Sequence, residues 1–246
     1  LSPNFAAAQQ VKPDDARIRT ERVQFDSPNG NGRVQAYVCR PAAAGGALPV
    51  VLVIHENRGL NPHIEDVARR VALEGYIAVA PDALFTKGGY PGDEDKARAL
   101  FATLDLRKTA EDFVTAAQWC RTMPGGNGRV GAVGFCYGGG IVNLIATRMP
   151  ELRAGAPYYG LAAPLDEVGK IKAELQIVYA ENDERINAGW PAFKDTLETV
   201  GVRFEAHVYP GTQHGFHNDT TPRYDEKAAK LAWGRTLALF QRTLRA

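Results

Sequence analysis

Cysteine is scarce here, with three in 246 residues. Cys39, Cys120 and Cys136 are too few for a disulfide framework, and an odd count leaves at least one thiol free. Their spacing matches no zinc pattern. A charge of one sign is also missing: 29 Lys and Arg stand against 28 Asp and Glu, for a formal net charge of +1. That balance argues against nucleic acid or an anionic membrane as the main partner. No apolar run approaches the length of a membrane span. There is no internal repeat, low-complexity tract or linker. What remains is an ordinary globular composition, 45% hydrophobic and 23% charged, in a chain long enough for one large α/β domain or two small ones.

Short strand-like and helix-like segments alternate along the chain. Arg22 to Phe25 and Arg33 to Arg40 read as a hairpin around a turn-rich stretch. Val50 to Ile54 is a continuous β-branched run, as expected of a central strand. Asn61 and Pro62 open a helix that Gly75 closes, and Tyr76 to Ala80 is a further strand. Leu84 to Asp93 reads as a long loop. Asp105 to Arg121 is an amphipathic helix with Leu106, Phe113, Ala117 and Cys120 on one face. Strands are expected near Ala156 to Tyr158, Leu175 to Tyr179 and Arg203 to Tyr209, with a helix over Gly189 to Val200. Asp225 to Leu244 is a closing helix with Leu231, Leu237, Leu239, Phe240 and Leu244 as packing positions. Cys39 falls in a strand and Cys120 in a helix, so both are expected to pack. The alternation predicts a single α/β domain over 21–246 around a mainly parallel sheet with helices on both faces. Residues 1–20 read as a leader or disordered extension.

The most informative stretch runs from Arg129 to Leu144. Small and β-branched residues, Val130 to Val133, suit a buried strand. Gly134-Phe-Cys136-Tyr-Gly138 follows, and helical spacing continues from Ile141. Strand, sharp turn, helix, with a reactive residue between two glycines, is the pattern of a nucleophile elbow with cysteine in the serine's place. A phosphate-binding turn, or a cysteine that only packs, is the competing reading. The spacing suits neither a dinucleotide fingerprint nor a P-loop. The helix N-terminus would favour a thiolate at Cys136.

Reactive groups of a parallel sheet belong on loops at the carboxyl ends of strands. Asp183 follows one strand end, and His214 lies between the last strand and the closing helix. The order nucleophile, acid, histidine is that of the α/β-hydrolases. In this order His214 takes the thiol proton and Asp183 orients the imidazole.

Together, Gly-Phe-Cys136-Tyr-Gly-Gly, the Glu56 loop, Glu-Asn-Asp183 and Gly-Thr-Gln-His214-Gly-Phe resemble the dienelactone hydrolases (carboxymethylenebutenolidases), from about Arg33 onward. The resemblance implies a triad of Cys136, Asp183 and His214. It implies that Glu56 contacts the cysteine and helps switch it from thiol to thiolate when substrate binds. It also implies an oxyanion hole from the backbone N–H groups of Asn57 and Tyr137. The implied reaction is hydrolysis of a small ester or lactone through an acyl-thioester, with no cofactor and no metal.

Two departures bear on the substrate. The family's carboxylate-binding arginines are replaced by Thr86 and Asn218, which cannot form a bidentate grip. Arg58, Arg185 and Arg223 are the available guanidinium groups, and Asn218 itself remains a candidate substrate contact. Two rivals to a dienelactone hydrolase therefore stay open: a broad carboxylesterase or thioesterase, and a non-catalytic thiol sensor or binding protein. The oligomeric state is not legible. Leu1 to Gln10 resembles the tail of a secretory signal, so an exported, periplasmic protein is expected, with a cytoplasmic one as the alternative.

Overall fold

The computed structural model describes residues 3–245. They form two compact units, Leu1–Arg129 and Val130–Ala246. The first holds α1 (Phe5–Ala8), β1 (Ile18–Ser27), β2 (Gly32–Pro41), β3 (Leu48–Ile54), α2 (Pro62–Leu73), β4 (Ile77–Pro81), a 3-10 turn at Phe85–Lys87, α3 (Glu94–Phe101) and α4 (Leu106–Cys120). Its strands lie in the order β1-β2-β4-β3. β1 and β2 pair antiparallel from Ile18↔Pro41 to Ser27↔Gly32. β2 runs antiparallel to β4, and β3 parallel to β4. The apolar run of β3 is buried from Pro49 to Ile54. Asn61 starts α2 by accepting the Ile64 N–H at 3.0 Å, which satisfies one of the helix's unpaired first donors. Asp112 of α4 ties down the hairpin turn, accepting from Ser27 Oγ at 2.6 Å and Asn31 Nδ2 at 2.6 Å.

β5 (Gly126–Phe135) leads into the second unit. There follow α5 (Tyr137–Arg148), β6 (Ala154–Tyr158), a 3-10 turn at Leu165–Lys170, β7 (Glu174–Asn182), α6 (Glu184–Asn187), α7 (Trp190–Val200), β8 (Phe204–Gln213) and α8 (Glu226–Leu244). The strands are parallel, in the order β5-β6-β7-β8. Asp225 caps α8 by accepting the Ala228 N–H at 2.9 Å.

Several expectations need correction. Residues 10–20 are not a loose extension. Ile18 to Thr20 belong to β1, and Val11 is buried. The Val11 N–H donates to Asp66 Oδ1 at 2.8 Å, and Arg69 Nε donates to the Val11 carbonyl at 2.6 Å. Further out, the Phe5 ring meets Tyr90 edge-on at 6.5 Å. Leu1 and Ser2 of the signal-like stretch lie outside the described residues. Leu106 and Leu231 sit on helices as expected but are 51% and 47% exposed. Leu106 is the first residue of its helix, where the packed face has not yet begun. Cys39 and Cys120 are fully buried, in β2 and α4. Burial pushes the Cys39 thiol up to about 12 and raises Cys120 as well, so neither presents a thiolate near neutral pH.

Candidate active site

Cys136 joins β5 to α5 as the residue preceding the helix, with φ 58° and ψ −117°. Among the described residues only Cys136 and Tyr159 carry a positive φ without being glycine. Such conformations are strained and gather at functional sites. The surrounding contacts hold Cys136 there. Its N–H donates to the Tyr158 carbonyl at 3.0 Å, and the Gly139 N–H donates to its carbonyl at 3.0 Å. The turn is too tight for a side chain at two places. A Cβ on Gly134 would lie 2.1 Å from the Gly138 carbonyl oxygen, and one on Gly160 would lie 2.2 Å from the Gly140 nitrogen. The thiol residue is half-buried, unlike the other two cysteines. Tyr137 is the first residue of α5, where a helix's N–H groups lack intrahelical acceptors.

Asp183 directly follows β7, and His214 directly follows β8. His214 Nδ1 lies 2.5 Å from Asp183 Oδ2. The carboxylate can only accept, so Nδ1 carries the proton and Nε2 is left to act as a base. Asp183 is buried, whereas the His214 side chain is 24% exposed. The ring of Tyr159 packs 4.9 Å from that of His214. The residue after Tyr158, whose carbonyl holds the Cys136 amide, thus rests against the histidine. Sequence spacing gives no hint of Tyr159, because its positive φ is unusual for a tyrosine.

Glu56, Asn57 and Arg58 leave the end of β3 and are all half-buried. Asn57 Oδ1 accepts from Arg58 Nη1. The preceding residue, His55, is fully buried and fixes this loop. Its Nδ1 donates to the Glu56 carbonyl at 2.6 Å, while its Nε2 accepts the Ala83 N–H at 3.0 Å. Those partners require the neutral imidazole, since a protonated Nε2 would face another donor. Burial holds His55 below the usual histidine value, against the raising influence of Asp82 and Glu56. The unfolded chain therefore binds the proton more readily. The stabilising contribution is complete above the unfolded value of about 6.5 and is lost as pH falls through the lower folded value. Denaturant midpoints of wild type and His55→Gln between pH 5 and 7.5 check this. The wild type is expected to lose stability more steeply on acidification, by up to about one proton in slope; equal slopes would show that His55 is not the titrating group.

The remaining substrate candidates fare differently. Arg185 is exposed on α6, just after Asp183, and Thr86 is exposed in the 3-10 turn. Asn218 is buried, and its Oδ1 accepts from Thr220 N at 2.9 Å and Thr220 Oγ1 at 2.5 Å. It closes its own turn. Arg223, further along, lays its guanidinium over the His214 loop: Nη2 lies 3.4 Å from where a Cβ on Gly215 would be.

Comparison with known proteins identifies the family and the fold. The model of the dienelactone hydrolase family matches residues 34–244. A Salmonella typhi protein assigned by name as a carboxymethylenebutenolidase is 33% identical over 228 residues, 87% of this chain and 84% of that protein. An Escherichia coli K12 protein assigned as a hydrolase fragment is 55% identical over 105 residues, 43% of this chain and 90% of the fragment. The crystal structure of a Klebsiella pneumoniae protein assigned as a dienelactone hydrolase superposes with a TM-score of 0.77 at 30% identity, covering 91% of this chain and 99% of that one. The fold is that of the α/β-hydrolases.

Proposed function

Given that the chain belongs to the dienelactone hydrolase family, we propose that it hydrolyses a small ester or lactone through an acyl-thioester on Cys136. The observation that carries this reading is the 2.5 Å pairing of His214 Nδ1 with Asp183, in the same unit as a cysteine held at positive φ. His214 Nε2 takes the thiol proton as sulfur attacks the carbonyl carbon. The imidazolium, stabilised by Asp183, returns that proton to the leaving oxygen. A water then gives its proton to Nε2 and its oxygen to the thioester, and the acid leaves with the thiol restored.

The other roles rest on the family pattern. Glu56 is assigned to switching the thiol to thiolate, and the N–H groups of Asn57 and Tyr137 to the oxyanion. For an anionic substrate group, Arg223 is a better candidate than Asn218, whose side-chain oxygen is taken by Thr220. Arg185 is exposed and available, while Arg58 is engaged by Asn57. A carboxylate-bearing ester or lactone fits this set, by the bidentate geometry of a guanidinium.

Trapping the intermediate tests the reading. Acid-quenched reactions with an aryl ester, digested and weighed by mass spectrometry, are expected to place the acyl group on Cys136. Turnover with the acyl group on another residue, or with none detected under burst conditions, would sink the thioester mechanism. Running dienelactone beside neutral aryl esters then decides the substrate class. Preference for the neutral esters would favour the broad carboxylesterase reading, which the exposed Thr86 and inward Asn218 already support.

A further inference from the structure

The loop that carries His214 contains a second histidine, His217, that the reaction scheme does not use. It is 4% exposed. Its ring stacks on Phe135, with centroids 4.9 Å apart and planes at 17°. The edge of Tyr158 meets it at 5.3 Å and 69°, and Trp233 of α8 lies at 5.3 Å. Phe135 is the residue before the nucleophile, and Tyr158 supplies the carbonyl that accepts the Cys136 N–H. Phe135 and Tyr158 also touch each other, with centroids 4.8 Å apart, and Tyr158 is anchored to Thr236 Oγ1 at 2.8 Å. His217 thus stacks flat on the residue preceding the nucleophile and meets edge-to-face the tyrosine that holds its amide, from the loop that bears the base.

Resting on the catalytic reading above, we infer that His217 is a positioning residue: its ring plane sets the spacing between the His214 loop and the Cys136 elbow. A flat ring suits this place better than a branched side chain. Stacked rings meet over a whole face, which restrains both separation and tilt. The neighbouring Phe216 anchors the same loop differently, against Tyr159 at 5.6 Å and Tyr209 at 5.3 Å. Loss of the His217 ring would therefore shift the loop without releasing it. Misplacement of a reacting group by about 1 Å costs up to about a hundredfold in rate.

Three variants test this: His217→Ala removes the ring, His217→Leu fills the space without a plane, and His217→Phe keeps the plane. Aryl ester hydrolysis is expected to show kcat reduced by about ten- to a hundredfold in the Ala and Leu variants. KM should stay within about twofold, because substrate binding is not what the ring controls. His217→Phe is expected to restore most of kcat. A merely structural role would lower the amount of active enzyme without this division between the planar and branched variants. If His217→Ala does not fold, the Leu and Phe pair carries the decision. Wild-type kcat in the Leu variant, or a Phe variant as impaired as the Leu one, would overturn the inference while an inactive Cys136→Ala leaves the catalytic reading standing. Turnover that survives Cys136→Ala overturns both.

Discussion

Cys136→Ala is expected to lose ester turnover by about five to six orders of magnitude, as removal of a nucleophile from a cooperating triad does, while the protein stays folded. The other cysteines cannot take the role: Cys39 and Cys120 are buried with raised pKa values, and the serine of a conventional elbow is replaced by Cys136 itself. The fold should survive for equally local reasons. Cys136 makes no side-chain cap to α5, and its backbone is held by the Tyr158 carbonyl and the Gly139 amide. Alanine keeps those bonds and meets the same positive φ with the same Cβ. Stopped assays with an aryl ester, alongside a thermal melt, settle the matter. A melt near wild type with turnover retained would remove Cys136 from the chemistry.

The second large effect is expected at Asp183. Asp183→Asn should lower kcat by about four orders of magnitude, the size seen when the acid of such a triad is made an amide. The 2.5 Å pairing with His214 Nδ1 depends on an acceptor-only partner. An amide offers both a donor and an acceptor, so it can hold the ring with Nε2 protonated, which is the wrong form for a base. It also removes the negative charge that steadies the imidazolium. Stability should change little, because the variant buries a neutral group of the same shape where a carboxylate was buried. The decisive comparison is kcat against melting temperature: a fall in both together would mean that Asp183 supports the fold more than the base.

The proposed triad positions were readable because chain order and strand ends carry so much information in a parallel sheet. Asp183 and His214 each follow a strand directly, and the glycines around Cys136 announce the turn. Helix starts were similarly plain at Asn61 and Asp225, where short polar side chains accept the first free amides. Other features leave little trace. α3 buries only Ala97 and Phe101, too few apolar positions to show a period, so its residues did not read as a helix. β1 reaches back to Ile18 through charged, outward-facing residues, and only its pairing with β2 reveals it. Tyr159 and His217 owe their places to tertiary packing against His214 and Phe135, which spacing in one sequence does not record. The same holds for Arg223: the sequence showed that Thr86 and Asn218 are not arginines, but only the folded loop brings another guanidinium over Gly215.

The docking of Val11 on α2 separates two boundaries that are easily confused. The family match begins at residue 34, but packed structure begins well before it. Arg69 is 1% exposed and gives its Nε to the Val11 carbonyl; Asp66 is equally enclosed and receives the Val11 amide. A chain trimmed to the limits of the family match would take the Val11 partners from a buried guanidinium and a buried carboxylate, which keep Tyr37 and Arg70, at a cost of about 1–3 kcal/mol for each buried hydrogen-bonding group left unsatisfied. It would also turn β2 into a bare edge with its amides exposed, open to pairing with other chains. For this protein the safe place to append a tag or to shorten the chain is not the end that the family match leaves uncovered.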